Sequence, residues 1–132
     1  MTAEDVARQF IAAINKRDAD AIYELMSENH QFIDSMGYVS NNRDEMKKGW
    51  IGYFKMVPDY LIEISETFVS GGTVMFLGKA SGTYTSDGVI KPENHWETIA
   101  AWKAVVVGNR VQLWQVIADN EPIREIMRRE AA

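Results

Sequence analysis

The stretch His95-Trp96-Glu97-Thr98-Ile99-Ala100-Ala101-Trp102-Lys103 decides how this chain folds. Its period is two. Trp96, Thr98, Ala100 and Trp102 fall on one side of an extended chain, and His95, Glu97, Ile99, Ala101 and Lys103 on the other. Burying Glu97 or Lys103 unpaired would be costly, so the tryptophan side faces the interior. Working outward, residues 95–107 read as one long strand. Gly108-Asn109 turns it back into a second, 111–118, with Trp114, Val116 and Ala118 inward. Before it, residues 73–85 place Val74, Phe76, Gly78 and Ala80 inward, with Lys79 outward. Residues 60–67 do the same with Tyr60, Ile62 and Ile64, with Glu63 outward, and Gly71-Gly72 marks the turn between these two. Strands joined by turns this short run antiparallel.

Upstream the period changes to that of helices. Thr2 with Asp5 forms a capping-box-like start, and Val6, Phe10, Ala13 and Ile14 make one apolar stripe, predicting a helix over 2–16. Asp18 can cap a second helix carrying Ile22, Leu25 and Met26, which Asn29 and His30 end. Residues 31–35 read as a short strand with Phe32 and Asp34 on one face, and Gly37 opens a loop. Asn41 or Asn42 caps a third helix running to about Met56, with Met46, Trp50, Tyr53 and Phe54 on one face, and Pro58 stops it. A short polar tail with helical character closes the chain. Helices early and strands late give an α+β layout, one domain over 1–132, with the helices on one sheet face.

Composition narrows the function classes. The chain has 132 residues, no cysteine and a net charge of -5. No disulfide, thiolate zinc site or cysteine nucleophile is available. The acidic balance and scattered basic residues argue against a nucleic-acid partner. No signal peptide is visible and the longest apolar run is too short to span a membrane, so no membrane role and a cytoplasmic location are expected. His30, next to a helix end, and His95, on an outward strand position, are expected to be structural or solvated; two isolated histidines make no metal site. No cofactor is implied.

The inward faces mix very small with very large side chains. Gly78, Ala80 and Ala100 fill little volume, so a curved sheet leaves a hollow walled by aromatics. Trp50, Tyr53, Tyr60, Phe76, Trp102 and Trp114 are the candidate ligand-binding residues, and such a wall suits a small, flat apolar molecule such as a polyketide or terpenoid ring. Asp34 shares the inward face of Phe32 and is the candidate general base; burial among aromatics would raise its pKa. Asp119 is a second candidate, although Asp and Asn at 119–120 also suit a turn. The opposite sheet face keeps Leu61, Met75, Leu77, Ile99, Ala101, Leu113 and Ile117, which favours a homodimer through that face.

These residues resemble the nuclear transport factor 2-like superfamily, in its SnoaL-like branch with the steroid delta-isomerases and polyketide cyclases. The resemblance rests on Gln9 to Asn15 with Asp18, Phe32-Ile33-Asp34 with Gly37, Gly49-Trp50, Tyr53-Phe54, Pro58-Asp59-Tyr60, Ala100-Ala101-Trp102 and 111–119. It implies a cone-shaped α+β roll whose curved mixed or antiparallel sheet wraps around three N-terminal helices. It also implies a cofactor-free isomerase, cyclase or dehydratase with Asp34 at the position of the isomerase base and Asp119 near that of the cyclase base. Phe10, a ligand-binding candidate, stands where isomerases place a tyrosine donor, and Ala100 or Ala101 where they place a protonated aspartate. No arginine falls on an inward strand position, as the epoxide hydrolases of the superfamily require. A non-catalytic ligand-binding or dimerisation domain with the same cavity is the alternative reading, since the superfold hosts many functions.

Overall fold

A computed structural model describes all 132 residues, Met1–Ala132. The helical half starts as its caps dictate. Thr2 and Asp5 bond reciprocally through side chain and backbone, at 3.1 Å each way, and start α1, Ala3–Asn15. Asp18 accepts from the Ala21 N–H and starts α2, Ala19–Leu25. Asn42 caps α3, Arg43–Met56, by accepting from the Glu45 N–H.

The second helix is shorter than its periodicity predicts. It ends at Leu25, and Met26 is already extended. The segment expected to finish the helix is instead the first half of β1, Met26–Ile33. Tertiary pairing overrides the local pattern here: Met26 lies opposite Val111, and Phe32 opposite Trp114, in a parallel ladder. Asp34 and Ser35, predicted as strand, fall in the turn that follows. That turn leads to β2, Val39–Ser40, too short to register in the sequence pattern.

The late strands are β3, Leu61–Ser70; β4, Thr73–Thr83; β5, His95–Val107; and β6, Arg110–Ala118. The sheet order is β2-β1-β6-β5-β4-β3, mixed, with β1 and β6 its parallel pair. The polar tail forms a full helix, α4, Glu121–Ala131, burying Ile123 and Ile126. Its far end is latched to the buried Asn94, which accepts from Arg129 at 2.7 Å and donates to Glu130.

The core fills the space between the helices and the inward face of the sheet. Trp102 and Trp114 are fully buried there, with Phe10 packed on Trp114 at a centroid distance of 4.9 Å. On the outward face Lys79 bridges Glu63 and Glu97 at 3.5 and 3.4 Å, the charged parity read from the sequence. Curvature has a specific source. β3 carries an extra residue between Ile64 and Glu66, and Gly78 lies opposite Ile64 beside that bulge. A Cβ on Gly78 would sit 1.9 Å from the Glu63 carbonyl oxygen, so only glycine lets the two backbones approach this closely.

His30, expected near a helix end, lies in β1 and is fully buried against Phe10. Its Nδ1 is 2.6 Å from the Val111 carbonyl oxygen. A carbonyl only accepts, so Nδ1 carries the proton and Nε2 is a bare lone pair, sealed without a partner. Burial, with the nearby Arg43 charge adding to it, holds the imidazole below its ordinary pKa, while the Val111 bond opposes the shift.

Two measurements check this account. Gly78→Ala should lower unfolding free energy by about 2–4 kcal/mol in denaturant titrations, because the obstacle is backbone. Gly52→Ala, on α3 with nothing within 4 Å, should raise it by about 1 kcal/mol. For His30 the unfolded chain takes up a proton near pH 6.5 and the folded chain resists it. Its contribution to stability is therefore complete above that pH and lost as pH falls towards the lowered folded value. Thermal midpoints should drop below pH 6.5 while the His30 ring resonances stay those of the neutral Nδ1–H form.

Candidate functional site

Ring packing shapes the hollow. α3 projects Trp50, Tyr53 and Phe54 towards the sheet because they share one helix face. Phe32 meets Trp50 edge-on at 6.1 Å, Trp50 stacks on Phe54 at 5.5 Å, and Tyr53 meets Phe54 at 6.5 Å. Tyr53 then contacts Tyr60 edge-on at 5.0 Å, and Tyr60 contacts Trp96 at 6.2 Å. This unbroken chain of rings flanks a cavity of about 290 Å³ that opens to solvent. Met46, Gly49, Ala80, Val116 and Ala118 complete its apolar lining, and the small residues among them make the room.

The cavity's polar atoms come from a few places. Asp34 and Ser35 follow the end of β1, Asn120 follows the end of β6, and Thr98 is on β5; all four line the cavity. Asn120 donates its side-chain amide to the Ser35 hydroxyl, joining the two strand ends. Asp34 is the cavity's one carboxylic acid. Its Oδ1 accepts from the backbone N–H groups of Met36 and Tyr38, at 2.9 and 3.0 Å, which fixes the carboxylate in the turn. Oδ2 has no partner within the chain and is the oxygen free to take a proton. Tyr53 and Tyr60 supply two phenols, and burial pushes both above the ordinary phenol range.

Tyr60 is held from behind. The Asp59 carboxylate accepts from both the backbone N–H and the hydroxyl of Thr83, at 2.7 Å each, tying the start of β3 to the end of β4.

The structure sorts the residues singled out in the sequence. Asp34, Trp50, Tyr53 and Tyr60 line the cavity. Phe10, Phe76, Trp102 and Trp114 do not: they are at most 1% exposed and form the closed core beneath it. They share the inward parity with the lining residues, but the helices seal their part of the sheet. Asp119 is exposed and accepts from the Glu121 N–H at 2.9 Å, a turn into α4, so its side chain stays outside the cavity. Its neighbour Asn120 turns inward instead. His95 is solvated and contacts the Thr83 hydroxyl. Phe32, Ser35, Trp96, Thr98 and Asn120 line the cavity without having been singled out as ligand-binding residues. Phe32 and Thr98 carried the inward parity that could have flagged them; Ser35 and Asn120 sit in turns, where no periodicity applies.

Comparison with known proteins places this geometry. A family model described as "SnoaL-like domain" matches residues 7–119. A candidate SnoaL-like polyketide cyclase from Shewanella denitrificans superposes with a TM-score of 0.81 at 12% identity, over 96% of this chain and 97% of that one. IdmH, a candidate polyketide cyclase from Streptomyces antibioticus, gives 0.79 at 17% identity, over 96% and 99%. A nuclear transport factor 2-like protein from Burkholderia thailandensis gives 0.78 at 17% identity, over 96% and 98%. At these identities the likeness is one of fold. No curated protein matches the chain. No helix is long and apolar enough to cross a membrane, and no group of three or more His, Cys, Asp or Glu side chains could hold a metal ion.

Proposed function

The chain belongs to the SnoaL-like domain family, and from that premise we propose that its cavity binds a small apolar ring molecule and that Asp34 is the general base of a cofactor-free isomerisation, cyclisation or dehydration. One observation carries the reading: a single carboxylate lines an otherwise uncharged aromatic cavity, with one oxygen pinned by backbone and the other free. A base so placed takes a proton from a carbon next to a substrate carbonyl and returns it elsewhere, and the phenols of Tyr53 and Tyr60 can donate to the enolate oxygen meanwhile. The isomerase donors matched by Phe10 and by Ala100 or Ala101 are apolar here, so stabilisation of the enolate falls to other groups.

The second reading is a non-catalytic binding domain with the same cavity. It is favoured by Asp34 Oδ1 acting as the cap of its own turn, a structural role sufficient to explain the residue.

We also propose that the chain pairs with a second copy through its outward sheet face. Leu77, Ala101 and Ile117 form a cross-strand row there, and Ile99 is 78% and Ile117 49% exposed. The Glu63–Lys79–Glu97 ladder on the same face would set register in a two-fold interface.

Hydrogen–deuterium exchange at the acidic carbons of a ring ketone separates the two readings of the cavity. The wild type should accelerate exchange, and Asp34→Asn should lose about 10²–10⁴-fold. Its Tm should hold, since an asparagine Oδ1 still accepts from Met36 and Tyr38. A wild type that binds the ketone without exchanging it excludes catalysis and leaves the binding domain. Light scattering should give twice the chain mass at micromolar concentration, and Ile99→Glu should halve it; a wild-type monomer would exclude the dimer.

A further inference from the structure

Among the polar hydrogens facing inward, two kinds stand apart. The indole N–H groups of Trp50, Trp96, Trp102 and Trp114 are sealed in the packing with no partner, so no ligand reaches them without rearrangement. The hydroxyls of Tyr53 and Tyr60 are different. Both rings line the cavity, neither hydroxyl is bonded within the chain, and neither is sealed. Tyr60 is only 7% exposed, and the access its hydroxyl retains is to the cavity. The Trp102 indole lies near enough to oppose the rise in the Tyr60 pKa, yet falls outside hydrogen-bond geometry. Both phenols stay protonated across the physiological range because burial disfavours the phenolate. They are therefore donors that face the cavity with no acceptor supplied by the chain.

Size sets the second condition. A cavity of about 290 Å³ lies at the small end of the roughly 300–1,000 Å³ range of ligand pockets. That size favours a ligand of one ring or two fused rings. A four-ring skeleton would have to leave much of itself outside the mouth.

We propose that Tyr53 and Tyr60 are the specificity-determining residues of the cavity, selecting a one- or two-ring ligand that carries a carbonyl oxygen. This rests on the reading that the cavity binds a small ring molecule, and it adds which oxygen chemistry and what size are selected. Orientation follows from topology. Tyr60 precedes β3 and Asp34 follows β1, on opposite flanks of the sheet, so a ligand whose oxygen meets the phenols presents its ring carbons towards the carboxylate. The polar groups of Ser35, Asn120 and Thr98 are then left to other substituents of the ligand.

The test uses 1-tetralone, its oxygen-free counterpart tetralin, and the four-ring ketone androstenedione, each titrated into the full chain. The four indole N–H resonances report, and those of the cavity tryptophans Trp50 and Trp96 should move while those of Trp102 and Trp114 stay. The expected order is 1-tetralone tightest, with tetralin and androstenedione each at least about tenfold weaker, a factor worth about 1.4 kcal/mol. Tyr60→Phe and Tyr53→Phe should bring 1-tetralone down to the affinity of tetralin while leaving tetralin unchanged. Equal weakening of both by the phenylalanine variants would assign the tyrosines to packing alone and overturn the proposal. So would a four-ring ketone that binds as tightly as 1-tetralone. Binding of no probe removes the cavity reading itself. Loss of ketone selectivity with deuterium exchange intact sinks this inference and leaves Asp34 as base.

Discussion

Backbone approach at Gly78 is the constraint on which the cavity depends. β3 bulges at Ile64–Glu66, and the strand crowds against β4 so closely that no side chain fits between them. A bulge bends and twists its strand locally. Here it falls beside Gly78, on the inward face that also holds the cavity-lining Ala80, where little side-chain volume exists to fill the space under the helices. Elsewhere Phe76, Trp102 and Trp114 close the same space completely. One sheet face thus serves as core along part of its length and as cavity wall along the rest.

The aromatic wall comes at a cost that burial outweighs. Four indole N–H groups have no partner, and each unmet donor costs about 1–3 kcal/mol. A tryptophan buries about 150–250 Å² of surface, worth about 4–6 kcal/mol at about 25 cal/mol/Å². Apolar burial wins at each ring. With their N–H groups sealed, Trp50 and Trp96 give the cavity shape and little polarity, and Trp102 and Trp114 give the core beneath it bulk.

Much of the fold is legible because parity and capping are local. Glu63, Lys79, Glu97 and Lys103 identify the outward face without any knowledge of partners, and Thr2, Asp18 and Asn42 each cap the helix that follows. What the sequence hides is long-range. The residues 26–30 continue a helical stripe on paper, yet a parallel ladder with β6 draws them into the sheet and buries His30. The site is legible to the same extent. Asp34, Trp50, Tyr53 and Tyr60 follow from face assignment. The division between sealed core and open cavity does not, because Trp102 and Trp96 share one strand face and differ only in what the helices lay over them. Ser35 and Asn120 meet through turns that obey no period.

The edges of the sheet carry a consequence of their own. Asn15, at the end of α1, donates to the Ile62 carbonyl at 3.0 Å and accepts from the Ile62 N–H at 2.8 Å. A single side-chain amide thereby stands in for a neighbouring strand on the outer side of β3. At the other margin β2 is two residues long and offers almost no ladder to extend. β3 is guarded at Ile62 and β2 by its brevity against recruitment of a further strand, the route by which sheets grow into fibrils. Growth edge to edge is thereby hindered where Asn15 occupies Ile62 and where β2 runs out, whatever the outer face of the sheet does.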